Sequence, residues 1–99
     1  MSMKQIMQEH QRLVVLRLLS EDLGYDLNES ILQDGLGVYS LSISRDALRT
    51  QLAWLEEQDC IELTVLQNGT HLAKLTSRGL DVAKGLAIQP GIKRPRPGE

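Results

Sequence analysis

Between residues 42 and 61 the chain reads SISRDALRTQLAWLEEQDCI, and its richest hydrogen-bond donors lie in the first nine positions. Arg45 and Arg49 are four residues apart, flanked by Ser42, Ser44 and Thr50. A guanidinium presents five N–H donors in a planar fork, which matches a carboxylate, a phosphate or the O6/N7 edge of guanine; Ser and Thr hydroxyls bond phosphates or base edges. Leu48, Leu52 and Leu55 recur at helical spacing and mark the side that must face a core. Measured round the helix from Leu48, Arg45 lies about 60° and Arg49 about 100° away, with Asp46, Thr50, Ala53 and Glu57 opposite. The far end carries Glu56, Glu57 and Asp59, which a phosphate backbone repels. Such a helix would meet a polyanion with its N-terminal tip. An ordinary solvated face of mixed charge is the alternative.

Two further stretches offer polar contacts. Gln67-Asn68-Gly69-Thr70 forms a small polar loop without Arg or Lys, and Lys74 follows on the next extended segment. Asn68 can reach a phosphate or sugar, yet a plain turn explains the same residues. Near the C-terminus Lys93, Arg94 and Arg96 alternate with Pro95 and Pro97. Proline keeps such a segment extended, so its charges can track a groove; a solubilising end is the competing reading. Catalysis and metal binding find no footing. The one cysteine, Cys60, and the two histidines, His10 and His71, have no zinc-ligand spacing, and no nucleophile–base set or phosphate loop is present. The expectation is no enzyme, no cofactor and no metal. Trp54 reads as a packing residue on the flank of its helix.

The elements that position these groups are signalled by caps. Ser44 caps the Arg-bearing helix, with Ile43 and Leu48 as a hydrophobic staple and Asp46 in the first turn. Asn28 caps a helix over 29–36, with Leu27 and Leu32 as staple and Gly35 and Gly37 expected to end it. Thr76 caps a helix over 77–84, with Leu75 and Leu80 as staple and Gly85 after it. Residues 60–66 alternate Ile61, Leu63 and Val65 with Glu62 and Thr64 as a half-buried strand. Asn68-Gly69 signals a type I′ hairpin turn into a return strand over 70–75. Residues 25–27 are a candidate short strand.

Residues 3–20 form the first helix, which Gly24 is expected to stop. Met3, Met7, His10, Val14 and Leu18 line one stripe, and LVVLRLL is apolar nearly all round. One side should meet the core and another a partner chain, so Met3, Met7, Val14, Val15 and Leu18 are the candidate interface of a homodimer. Helix, short strand, two helices, hairpin, helix is the order of a winged helix-turn-helix: mainly α with a small β-hairpin, an α+β class. The expected domain is residues 1–85, with 86–99 a flexible basic Pro/Gly-rich tail.

The bulk properties are permissive. Ninety-nine residues make one domain, and 41% apolar content with no Phe gives a Leu/Ile/Val core. The net charge of −2 is uneven: residues 1–59 hold five basic and ten acidic side chains, residues 60–99 six and three. No internal disulfide is available to one cysteine. No run suits a membrane span or a signal peptide, so the expectation is a soluble, cytoplasmic protein.

SRDALRTQLAWLEEQDCIELTVLQNG followed by LAKLTSRGLDVAKG resembles winged-helix regulators of the ArsR, MarR and PadR kind, over residues 12–85. Leu55-Glu56-Glu57-Gln58 and Leu75-Thr76-Ser77-Arg78-Gly79 fit their motifs, while Asp59 stands where Gly is usual. The Cys-x-Cys metal-sensing motif of many ArsR proteins is absent, so metal response does not carry over. MKQIMQEHQRLVVLRLL, LNESILQD, SRDALRTQLAWLEEQ and PGIKRPRPG are similar to small ArsR-like proteins carried by Mu-like phages and prophages. The resemblance implies a phage-encoded protein that binds double-stranded DNA as a dimer and regulates transcription. The alternative is a winged-helix module that binds a phage or host protein, for example beside DNA packaging or replication.

Overall fold

A computed structural model describes residues 1–98. The elements are α1 (Met3–Glu21), β1 (Asp26–Asn28), α2 (Glu29–Val38), α3 (Arg45–Glu57), β2 (Ile61–Val65), β3 (His71–Leu75) and α4 (Ser77–Ala83). The sheet is antiparallel with order β1-β3-β2, and the register pairs Leu27 with Ala73 and Leu63 with the same Ala73. This is the winged helix-turn-helix arrangement expected from the element order, with β1 closing the sheet beside the return strand.

Each helix start has a side-chain cap. Ser44 Oγ accepts from Ala47 N, Asn28 Oδ1 from Ile31 N and Thr76 Oγ1 from Gly79 N, all at 3.0–3.1 Å. Ser2 adds a capping box with Gln5 at the start of α1. Gly85, at a positive φ of 79°, follows α4 as expected, but the other helix stops differ from expectation. α1 ends because Asp22 leaves the helical conformation and accepts Gly24 N at 2.9 Å; it does not end on a glycine. α2 runs through Gly35 and Gly37 to Val38. Gly35 is there for room: a Cβ would lie 2.6 Å from Leu18 Cδ1 of α1. The stop comes at Ser40, which takes a positive φ of 59° and closes a pair of bonds, Ser40 N to Gly37 O and Leu41 N to Leu36 O. α3 stops in the same way on Asp59 (φ 60°), with Asp59 N donating to Glu56 O and Cys60 N to Leu55 O.

The hairpin turn is also not type I′. Only Gly69 has positive φ (85°); Gly69 N donates to Leu66 O, and Leu66 N to Thr70 O. That is the three-residue loop with one left-handed position, which needs a single glycine.

The core is built from Leu13, Val15, Leu16 and Leu19 of α1, Leu32 and Leu36 of α2, Leu48, Leu52 and Leu55 of α3, and Cys60, Ile61, Ala73 and Leu75 around the sheet. α4 presses on the α3–β2 junction so closely that a Cβ at Gly79 would meet Cys60 O at 2.0 Å. The segment expected to be a free tail is docked over its first part. Ile92 is buried, Lys93 N donates to Glu9 O, and Gly91 O accepts from Arg12 Nη1 at 2.9 Å. Its dock is the flank of Trp54, over whose ring the Arg12 guanidinium sits 3.9 Å from the centroid.

Candidate nucleic-acid interface

Glu29 organises the site. It is the first residue of α2 and lies on the stripe it shares with Leu32 and Leu36, so the packing of that stripe draws its carboxylate fully inside. An uncompensated carboxylate there would be costly, and three donors and a second positive charge answer it. Arg49 of α3 donates from Nε to Oε1 at 2.7 Å and from Nη2 to Oε2 at 2.9 Å. The backbone N–H of His71, at the start of β3, donates to Oε2 at 2.8 Å, and Arg45 Nη1 stands 3.6 Å from the same oxygen. The Arg49 hydrogen bonds, the His71 N–H and the two positive charges outweigh burial and hold the carboxyl down at about 2. Reciprocally, the carboxylate raises the Arg49 guanidinium above its ordinary value.

Arg45 is held by neutral acceptors. Its Nε donates to Gln33 Oε1 and its Nη2 to Ser30 Oγ, both at 2.9 Å, while Gln33 Nε2 donates to Ile43 O at 3.1 Å. Both arginine side chains remain about two-fifths exposed, 42% and 41%. The two-pronged edge of Arg49, expected to be available for a guanine, is therefore already spent on Glu29. Its Nη2 also leans on the Gly69 carbonyl in the wing at 3.4 Å, and Nη1 is the nitrogen without a hydrogen bond among the described residues.

Around these arginines Ser42, Ser44 and Thr50 are exposed, Ser44 as the cap of α3 and Thr50 with its hydroxyl on Asp46 O at 3.3 Å. Asn68 is exposed at the wing loop, where its Oδ1 accepts Thr70 N at 3.0 Å. The fold thus brings Arg45, Arg49 and the wing loop together around Glu29, whereas Ser42 lies beside Gly37 at the end of α2 and Thr50 faces a cleft with Lys4, Met7 and Gln8 of α1.

Other expected residues lie elsewhere. Lys74 is on the outer face of β3, opposite Asp26 and Glu62 and three residues beyond the loop-side end of the strand, so acidic neighbours offset it. Lys93, Arg94 and Arg96 follow the docked segment along α1; Arg96 shares a cleft with Arg17, Ser20 and Glu21. Of the expected dimer surface, Val15 is fully buried in the chain's own core and offers nothing to a second copy. The reason is that α1 is covered by α2, α4 and the sheet together. Met3 is exposed, and Met7, Val14 and Leu18 are half-buried. Val14 and Leu18 line a cleft of about 370 Å³ with His10, Arg17, Tyr39 and Leu41.

Glu29, Ser30 and Gln33 went unrecognised in the sequence. The signal was present: Glu29, Leu32 and Leu36 have the i, i+3, i+7 spacing of one buried face. Cys60 is buried, and its thiol is pushed up by burial, in keeping with a packing role.

No family model matches the chain. The uncharacterized protein gp26 of Escherichia phage Mu is 49% identical over 92 residues, which cover 93% of this chain and 94% of that protein. The chain belongs to the gp26 family of phage Mu. An uncharacterized Haemophilus influenzae protein is 52% identical over 80 residues, covering 81% of this chain and 78% of its own length. Among solved structures, H. salinarum RosR superposes with a TM-score of 0.63 at 18% identity, over 82% of this chain and 80% of its own. A RosR–S4 complex gives 0.60 at 19%, over 82% and 76%. At such identity the likeness speaks for the fold, and the fold is the winged helix.

Proposed function

We propose that this gp26-family protein is a duplex-DNA-binding regulator of the ArsR/MarR/PadR-like kind, acting as a homodimer in a bacterial cell that carries the phage or prophage. The observation that carries the reading is the convergence of the α3 tip, the α2 start and the wing loop around two half-exposed arginines. In helix-turn-helix docking the N-terminal part of the second helix enters the major groove, and here that part is Ser44 to Thr50. Arg45 and Arg49 act first on phosphates, through the nitrogens that Glu29 leaves over, and Ser42, Ser44, Thr50 and Asn68 add uncharged contacts. Met3, Met7, Val14 and Leu18 supply the two-fold contact, which would set the two α3 tips about 34 Å apart on successive major grooves.

Selection of bound fragments from a Mu-like phage genome at about 100 mM salt, followed by sequencing, tests this; the expected product is an enriched palindrome. With roughly four phosphates neutralised per protomer, log K should fall steeply with log salt, at about −0.9 per contact. A slope near one per dimer, with no enriched sequence, sinks the proposal.

One observation favours a second reading, an assembly module that binds a phage or host protein. The outermost strip of α3 is Asp46, Thr50, Ala53 and Glu57, with no cation on it. Capture of a defined protein partner by a chain that retains no duplex at the same salt would select that reading.

A further inference from the structure

We infer that Glu29 is a specificity-determining residue: a buried carboxylate that fixes Arg49 against the wing, stands 3.6 Å from an Arg45 held by Gln33 and Ser30, and lowers the charge the pair presents, so that fitting DNA gains over DNA in general. The inference rests on the DNA-binding reading above.

A carboxylate with no exposed surface is an unusual choice for a position on an apolar helix stripe. For stability alone, an apolar contact in place of the whole Glu29–Arg49 pair serves as well or better, because desolvating an ion offsets much of what its partners return. What an apolar residue would not supply is a common anchor for three elements. Glu29 belongs to α2, takes both prongs of Arg49 from α3, and takes the His71 N–H where β3 leaves the wing. Arg49 in turn touches the Gly69 carbonyl of the wing loop. The α3 tip and the wing are therefore held at a fixed relative position by one side chain.

The same anchor determines what reaches the solvent. A free arginine explores many rotamers and attracts any phosphate; here Arg45 is pinned at Nε and Nη2 by Gln33 and Ser30, and Arg49 at Nε and Nη2 by Glu29. Ordering those side chains before binding removes that entropic cost from the encounter. One negative charge beside two positive ones also halves the local field that draws random duplex. Weak general attraction with fixed donors is a device for discrimination.

The experiment compares dissociation constants for the selected palindrome and for random duplex of equal length at about 100 mM salt. Glu29→Gln should bind random duplex more tightly than the unsubstituted chain, while the palindrome-to-random ratio falls by about tenfold. Gln33→Ala leaves the buried carboxylate in place and frees Arg45 Nε, so it keeps the question open should Glu29→Gln fail to fold. It is expected to lower the ratio in the same direction, by a smaller factor. An unchanged ratio in the folded variants, or equal weakening on both duplexes, overturns the inference and leaves Glu29 a structural anchor only. If the unsubstituted chain holds no duplex, it is the underlying reading that fails.

Discussion

The chemistry of the site turns on how one carboxyl group and two guanidinium groups divide their hydrogen bonds. Glu29 is ionised in the folded chain down to about pH 2, because Arg49 and the His71 N–H bind the charged form. In the unfolded chain it returns to the ordinary carboxylate value near 4.5. A folded value below the unfolded one gives a contribution that is complete above about pH 4.5 and is lost as pH falls from there through about 2. Glu29→Gln removes that contribution and leaves amide hydrogens against Arg49. It should cost about 1–3 kcal/mol at neutral pH, the usual range for a buried partner left unsatisfied. Urea midpoints for both chains between pH 7 and pH 2 would measure it: the gap should close as pH drops. A gap of constant size would mean that folding leaves the Glu29 carboxyl at its ordinary value. The sequence hid this residue in plain view. An acidic group in the first turn of a helix suits the helix dipole, so residue type and position alone do not mark Glu29 as buried; only its spacing with Leu32 and Leu36 does.

At the level of elements, every helix start was legible, while of the stops only that of α4, on Gly85 with its positive φ of 79°, followed the expected glycine. Ser44, Asn28 and Thr76 cap through their own side chains, an interaction local enough to be read from residue type and offset. Stops depend on backbone conformation, and here α2 and α3 stop on Ser40 and Asp59 in the left-handed region, where glycine is the usual occupant. The glycines in α2 misled for the opposite reason: Gly35 answers to the approach of Leu18 across the helix pair. A left-handed serine or aspartate carries a steric cost that glycine avoids, partly offset by glycine's greater freedom when unfolded. Ser40→Gly and Asp59→Gly should each stabilise the chain by about 0.5–1 kcal/mol, read as a rise in melting temperature. The bond from Thr76 Oγ1 to the Asp59 backbone carbonyl, 2.6 Å, survives either change, so destabilisation would show that the serine or aspartate side chain itself is needed.

Over the whole molecule the outline was readable because a winged helix is encoded in the order and length of its elements, whereas the position of residues 88–98 was not. Composition made them a tail: they hold three cations, three prolines and little apolar surface. What docks them is a surface built by other parts of the chain, the Arg12–Trp54 stack with Gln51 Oε1 holding Arg12 Nε at 2.7 Å, and no local pattern in residues 86–98 announces it. A Cβ at Gly91 would meet the Trp54 ring at 2.7 Å, so the chain passes over the indole on backbone alone before Ile92 turns inward. The consequence for function is a separation of charges: the arginine pair lies at the wing end, while the basic C-terminal residues are led along α1. Docking and charge can be tested apart, because Ile92→Ala leaves every cation in place. If the segment is part of the domain, that change should lower unfolding free energy by about 1–3 kcal/mol, somewhat less than a fully enclosed isoleucine, and shift Trp54 emission toward that of an indole in water. A free tail would give a change within about 0.5 kcal/mol and an unaltered spectrum.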